Sequence, residues 1–317
     1  MNKKQILDRL KKNVGSDSVR LPSQIDFSLS NSILEMHVNG SGVRDNMQTN
    51  GSAFEGWALC IKACIPEVSK VILKWDSPKY SSDHKEKTRQ EKHYNRFLMR
   101  VVLFSRYFDW FAIHDDNKEL TNSFFKIHSH LFINYPKTES KEKVSENGKI
   151  NKREAILERQ LVEKLRESIS FTNHQLPVGL FDDEVKIENT CTPRGASQID
   201  LWQIDKDTLR IFELKDECNN EVGIISELMF YANVMNELIN GRIQYPQSII
   251  SAKDIRNIKS LYKAIQDKSI SCVEAVFLVY NFHPLVATNL KSILKIINES
   301  MKGNGISFKE MIVTDII

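Results

Sequence analysis

Residues 197–215 read SQIDLWQIDKDTLRIFELK. Gln198, Asp200, Trp202 and Ile204 alternate with Ile199, Leu201 and Gln203. Lys206-Asp207-Thr208 then interrupts, and Leu209 to Lys215 resumes an extended, largely apolar run. This is the pattern of a β-hairpin. Side chains two apart on a strand share a face, so Glu213 and Lys215 project together, and pairing brings the strand carrying Asp200 alongside them. Two carboxylates and an ammonium thus converge on a strand that otherwise reads Ile211, Phe212, Leu214. A partly buried carboxylate there needs a cation or hydrogen-bond donors to offset its lost hydration. A divalent metal supplies that offset, and hard oxygen ligands with several retained waters suit Mg²⁺. Lys215 would orient a water or neutralise charge developing on a phosphate. The chemistry implied is metal-assisted phosphodiester hydrolysis. The alternative is a surface hairpin with an ordinary cross-strand charge set.

Working outward, Glu154 to Ser168 (EAILERQLVEKLRES) places Leu157, Leu161 and Leu165 every four residues, with Ile156 and Val162 widening the stripe, and predicts an amphipathic helix. Glu154, Glu158 and Glu163 are its acidic residues nearest the middle, and Glu158 borders the apolar face. After a polar loop at Asp216 to Glu221, a helix begins at Gly223 and places Glu227 and Tyr231 one turn apart. Ala252 to Lys268 is amphipathic, with Lys253, Arg256, Lys259 and Lys263 on its polar side, a candidate backbone-contacting edge or an ordinary solvated one. VEAVFLVY (Val273 to Tyr280) reads as an apolar strand, Thr288 to Met301 as a last clear helix, and Ile306 to Ile317 as a short extended or helical piece. Leu180 to Thr192 reads as a further extended segment ahead of the hairpin, and the order helix, strand, hairpin, helix, helix, strand, helix implies a mixed α/β sheet with helices on both faces.

Asp200 at a strand end, followed by Glu213-Leu214-Lys215 on the next strand, resembles the signature of the PD-(D/E)XK nuclease superfamily. Ile199 stands where that signature has its Pro. The resemblance covers roughly Lys152 to Tyr280 and implies a restriction-endonuclease-like core and a Mg²⁺-dependent endonuclease, with Mn²⁺ able to substitute. It further implies that Asp200, Glu213 and the backbone carbonyl of Leu214 hold the metal. A helix-borne acidic residue would assist, with Glu158 chosen over Glu154 and Glu163, and Lys215 would position the attacking water. Glu227 and Tyr231 would face the site from the following helix. The implied partner is nucleic acid, DNA ahead of RNA, in restriction or phage defence, with a homodimer or larger complex open. A binding module that keeps the nuclease-like fold without catalysis is the rival.

The charge balance, 44 Lys plus Arg against 41 Asp plus Glu, gives a net charge of +3. Any nucleic-acid surface must therefore be a local patch. Five cysteines form no CxxC pair and no zinc-ligand spacing, which suggests reduced thiols in a cytoplasmic protein. No run approaches a membrane span, and no glycine-rich loop matches a nucleotide site.

The first half, 1–135, reads as an α+β domain for recognition or regulation. It holds a strand at Ser32 to Val38, a helix at Ser52 to Cys64 and a strand at Val68 to Asp76, and a long helix runs from about His93 to Ile113. On that helix Lys92, Arg96 and Arg100 recur every four residues, either as an edge tracking a phosphate backbone or as the wet margin of a core helix. His128-Ser129-His130 falls in a predicted strand, with both imidazoles on one face. Residues 136–152 (PKTESKEKVSENGKINK) contain no aromatic and only two aliphatic residues, Val144 and Ile150. They read as a linker to a nuclease-like domain at 153–317. Arg194, between Pro193 and Gly195, is a candidate phosphate contact or an exposed loop residue.

Overall fold

A computed structural model of the chain describes residues 1–79, 87–137, 153–193, 197–216 and 221–316. The predicted linker therefore lies almost wholly outside the described residues, as does Arg194. The fold is mixed α/β, with mixed sheets flanked by helices. Its N-terminal part runs α1 (Lys3–Val14), β1 (Ile25–Ser30), β2 (Ile33–Val38), α2 (Phe54–Cys64), β3 (Lys70–Trp75), α3 (Arg89–Tyr107), β4 (Phe111–Ile113), α4 (Asp115–Ile127) and β5 (Leu131–Ile133). The remainder runs α5 (Arg153–Ser168), β6 (Thr172–Pro177), β7 (Leu180–Asp182), β8 (Gln198–Asp205), β9 (Thr208–Lys215) and α6 (Gly223–Ile239). It continues through β10 (Ile243–Gln244), α7 (Ile258–Gln266), β11 (Cys272–Val279), α8 (Pro284–Met301) and β12 (Ile306–Ile312). No helix among the described residues is long and apolar enough to cross a membrane.

The predicted hairpin is β8–β9, closed at Lys206, which takes the left-handed backbone conformation such turns require. It lies inside a five-stranded sheet of order β12-β11-β9-β8-β6, in which β9, β11 and β12 run parallel while β6, β8 and β9 are antiparallel. Alternation sends Leu201, Phe212, Leu214, Val276 and Leu278 to one face, where Leu157, Leu161 and Leu165 of α5 cover them. Trp202, Leu209, Ile211, Ala275 and Phe277 take the other face and join the main core under α6. Because α6 is apolar nearly all round, it is buried from Gly223 to Leu238. Glu213 and Lys215 project from the α6 side, at the C-terminal end of β9.

A second mixed sheet, β1-β2-β3-β4, carries α2 and α3, and β10-β5-β7 forms a small third one. One continuous buried cluster runs from Leu34, Trp57 and Phe97 to Ile211, Leu228, Phe277 and Ile297, so the described parts on either side of 136–152 share a core.

Two glycines set how closely they approach. A Cβ on Gly56 of α2 would sit 2.7 Å from the carbonyl oxygen of Val222, and one on Gly223 would sit 1.8 Å from that of Gln48. Gly223→Ala must therefore push the Gln48 loop away from α6. It is expected to destabilise the protein by about 1–3 kcal/mol, as overpacking does, in urea unfolding. An unchanged midpoint would show that the loop gives way freely.

Three sequence expectations are corrected. The helix expected over His93 to Ile113 starts earlier and stops at Tyr107, because Phe108 caps it and Phe111–Ile113 pairs with β3. His128 and His130 do not lie on a strand. His128 caps α4, and pairing begins only at Leu131. The amphipathic helix expected from Ala252 begins at Ile258, because Arg256 and Asn257 both adopt left-handed backbone conformations. Lys253 and Arg256 thus precede the helix that carries Lys259 and Lys263, and the four form no single basic helical edge.

Candidate functional site

Asp200 occupies an interruption in the sheet. The β8–β9 register ends at Leu201↔Phe212, and one further step would set Asp200 opposite Glu213. On the other side the β6–β8 register passes from His174↔Leu201 to Leu176↔Ile199, omitting Gln175, whose φ is +49°. Asp200 is thereby released from regular pairing, and its Oδ2 accepts the Leu214 backbone N–H at 2.7 Å.

Glu213 is 1% and Lys215 7% exposed. Lys215 Nζ donates to Glu213 Oε1 and lies 3.1 Å from Glu227 Oε2. Glu227 Oε1 accepts from Tyr231 Oη at 3.0 Å and from Gln48 Nε2, a residue of the N-terminal part. The structure therefore brings together Asp200, Glu213, Lys215, Glu227 and Tyr231, and adds Gln48.

Glu158 of α5 turns inward and Glu163 is exposed, while the side chain of Glu154 lies outside the described residues. The Glu158 carboxylate is 2.7 Å from His174 Nδ1 and accepts from Gln175 Nε2 at 3.4 Å, beside the interruption at Asp200. Arg256 donates to the Gln175 carbonyl at 2.7 Å, and Lys259 donates to the Ile250 carbonyl at 2.9 Å. Both therefore serve local structure, while Lys253 and Lys263 are exposed.

Three carboxyl groups, those of Glu213 and Glu227 buried and that of Asp200 half-buried, share one ammonium, so their protons cannot all leave. Burial, with Glu227 and Glu158 nearby, pushes Asp200 up to about 8 against the pull of Lys215 and the Leu214 N–H. Burial, then Asp200 and Glu227, holds Glu213 well above the carboxylate range. Glu227 is held low despite its burial, because Lys215 and its hydrogen-bond donors favour the anion. Burial works against Lys215, but Glu213, Glu227 and Asp200 together keep it firmly protonated. Glu213 Oε2 finds no protein N–H or O–H donor, and the proton that Glu213 keeps bridges to Glu227. A hard divalent cation suits this set, because displacing the protons of Asp200 and Glu213 at the gap in the sheet would leave two carboxylates whose charge needs neutralising.

Two features escaped the sequence reading. His128, Asp182 and Cys191 place one ligand atom each within 4.8 Å of one another. They are mutually engaged, with His128 Nδ1 at 2.5 Å from Asp182 Oδ1 and 3.7 Å from Cys191 Sγ, while Lys87 donates to Asp182 Oδ2 at 3.0 Å. Burial pushes the Cys191 thiol up to about 12, which keeps it protonated. The second feature is a cavity of about 680 Å³ between the Asn46–Gln48 loop, the first turns of α3, and Pro193 and Ser197, with Glu227 and Tyr231 in its wall. Its N-terminal contributors are far apart in sequence from the hairpin, and no local pattern marks them.

No protein-family model, curated protein or solved structure matches the chain.

Proposed function

We propose that the protein is a metal-dependent nuclease of the PD-(D/E)XK type, acting on nucleic acid, DNA ahead of RNA, in the cytoplasm. The observation that carries this reading is the convergence on the hairpin of half-buried Asp200 with buried Glu213 and Lys215. The order α5, β6, hairpin β8–β9, α6, β11 supports it, because it presents an inward-turned Glu158 before the hairpin and Glu227 with Tyr231 after it. Asp200, Glu213 and the Leu214 carbonyl would hold Mg²⁺ or Mn²⁺, with Glu158 assisting. When bound, the ion would supply Lewis-acid activation and charge neutralisation for attack on a phosphodiester.

The chain's own groups have separate tasks. Lys215 places a fixed positive charge where negative charge develops on the phosphate and can orient the attacking water. Glu227, gripped by Gln48 and Tyr231, gives the ammonium a second carboxylate partner besides Glu213. The Leu214 N–H holds the Asp200 carboxyl group in one orientation.

Calorimetric titration with Mn²⁺ tests the metal site. Asp200 holds a proton up to about pH 8 in the free protein, so metal binding must displace it below that pH. Affinity is expected to rise with pH through about 8, with proton release visible as a dependence on buffer ionisation enthalpy. The sign for stability is opposite. The folded state keeps a proton that the unfolded chain loses near 3.8, so this group makes the metal-free protein less stable as pH rises from about 4 to about 8. Binding heat in the wild type that vanishes in Asp200→Ala supports the site. An absence of heat in the wild type at pH 8.5 favours the non-catalytic binding module.

A further inference from the structure

Arg96 is 3% exposed and lines the cavity beside Glu227. Its guanidinium donates to Ser197 Oγ at 3.1 Å and to Asn46 Oδ1 at 2.9 Å, and lies 3.0 Å from His93 Nδ1. All three partners are neutral, because burial and the neighbouring Arg96 and Arg89 lower His93 to about 4. No carboxylate among the described residues forms an ion pair with Arg96. Glu227 is engaged by Lys215, Gln48 and Tyr231, and Glu55 is engaged by Arg100. A buried cation without a counter-ion is costly, and Arg100 one turn on shows how the same helix solves the problem elsewhere, by pairing with Glu55.

The same cavity is lined by Lys87, Arg89 and Lys92, and Glu227 is the one carboxylate in its described lining. With Lys87 held by Asp182 and Glu227 by Lys215, Arg89 and Arg96 leave the described lining positive, which selects an anion, and a guanidinium fork fits phosphate oxygens. The volume, about 680 Å³, matches a site that encloses a small molecule. It gives room for roughly one or two nucleotides of a strand and falls far short of enclosing a duplex.

We propose that this cleft takes the sugar-phosphate backbone of a single nucleic-acid strand, with Arg96 as the buried receptor for one phosphate and Arg89 and Lys92 guiding the strand at its rim. The proposal rests on the nuclease reading for the identity of the ligand, and it gives the N-terminal part a direct role in holding substrate. Glu227 belongs both to the cleft wall and to the Lys215 cluster, so a strand held there runs up to the candidate metal site.

Binding without turnover separates this proposal from the nuclease reading. Fluorescence anisotropy of a labelled oligothymidylate of about twelve nucleotides is measured with the full chain in EDTA over a series of salt concentrations. Arg96→Met is expected to weaken binding by at least about tenfold. Arg89→Ala and Lys92→Ala should each reduce the slope of log affinity against log salt by about 0.7. An unlabelled duplex should compete much less well than the unlabelled strand. Thermal melting checks the fold of each variant, and the rim variants carry the test if Arg96→Met does not fold. Wild-type slopes in both rim variants, or a duplex that competes as well as the strand, would overturn the proposal. Arg96-dependent binding in a protein that cuts nothing would retain the cleft and remove the nuclease. Metal-dependent cutting with unaltered binding in all three variants would do the reverse.

Discussion

Lys215→Ala is expected to lower the rate of phosphodiester cleavage by about a hundredfold or more at saturating Mg²⁺, the usual scale for removing one preorganised charge from a site. The ammonium is fixed between Glu213 and Glu227 and 7% exposed, so it reaches its working position without reorganising. It has no lone pair to offer a metal while protonated, and its neighbours hold it protonated. Metal and nucleic-acid binding should therefore survive its loss, while the step in which charge develops should not. The variant also leaves buried carboxyl groups without their cation, so the comparison is made above pH 8 with metal saturating and the fold checked by melting. A Lys215→Ala protein that cleaves at the wild-type rate under these conditions would end its catalytic assignment.

Glu55→Ala is expected to destabilise the protein by about 3–5 kcal/mol, measured by urea unfolding. Arg100 and Glu55 are 2% and 1% exposed. Arg100 Nε donates to Glu55 Oε1 at 2.8 Å, and a second guanidinium nitrogen reaches Glu55 Oε2. Removing the carboxylate leaves a buried cation with Ser52 alone among the described residues to accept from it, through its carbonyl at 2.8 Å and its hydroxyl at 3.3 Å. Replacing both partners by apolar residues should recover much of the loss, because the desolvated charge goes with its partner. A single-variant loss below about 1 kcal/mol would show that Arg100 finds water or another anion.

The parts of this fold that announce themselves in sequence are those whose burial follows their own element's period. The hairpin was legible because Leu209, Ile211 and Trp202 pack on one face while Leu201, Phe212 and Leu214 pack on the other. The helix bearing Glu158 was legible from its leucines. Strand β6 was not, because Thr172, Asn173, His174 and Gln175 carry no apolar alternation. What holds it is pairing and side-chain hydrogen bonds, such as Gln203 Nε2 to Thr172 Oγ1 at 2.9 Å. Ile25, Phe27 and Leu29 of β1 do alternate, but a turn-rich polar neighbourhood hid them.

The row Lys92, Arg96, Arg100 shows a different limit. The spacing put them on one side of a helix, yet Arg100 is taken by Glu55 while Arg96 and Lys92 face the cavity. That division depends on which distant chain segment lies opposite each turn, and helical period carries no information about it. The same holds for Gln48, which meets Glu227 because Gly223 lets the loop approach α6.

The cluster of Asp200, Glu213 and Lys215 is expected to support metal-dependent hydrolysis of nucleic acid. The deciding measurement is incubation of the full chain with plasmid, single-stranded DNA and RNA in Mg²⁺ and in Mn²⁺, followed on gels. The expected result is cutting of at least one substrate by the wild type, abolished by EDTA and absent in Asp200→Ala and Glu213→Gln. No cutting of any substrate with either metal, or cutting by Asp200→Ala at the wild-type rate, would contradict it.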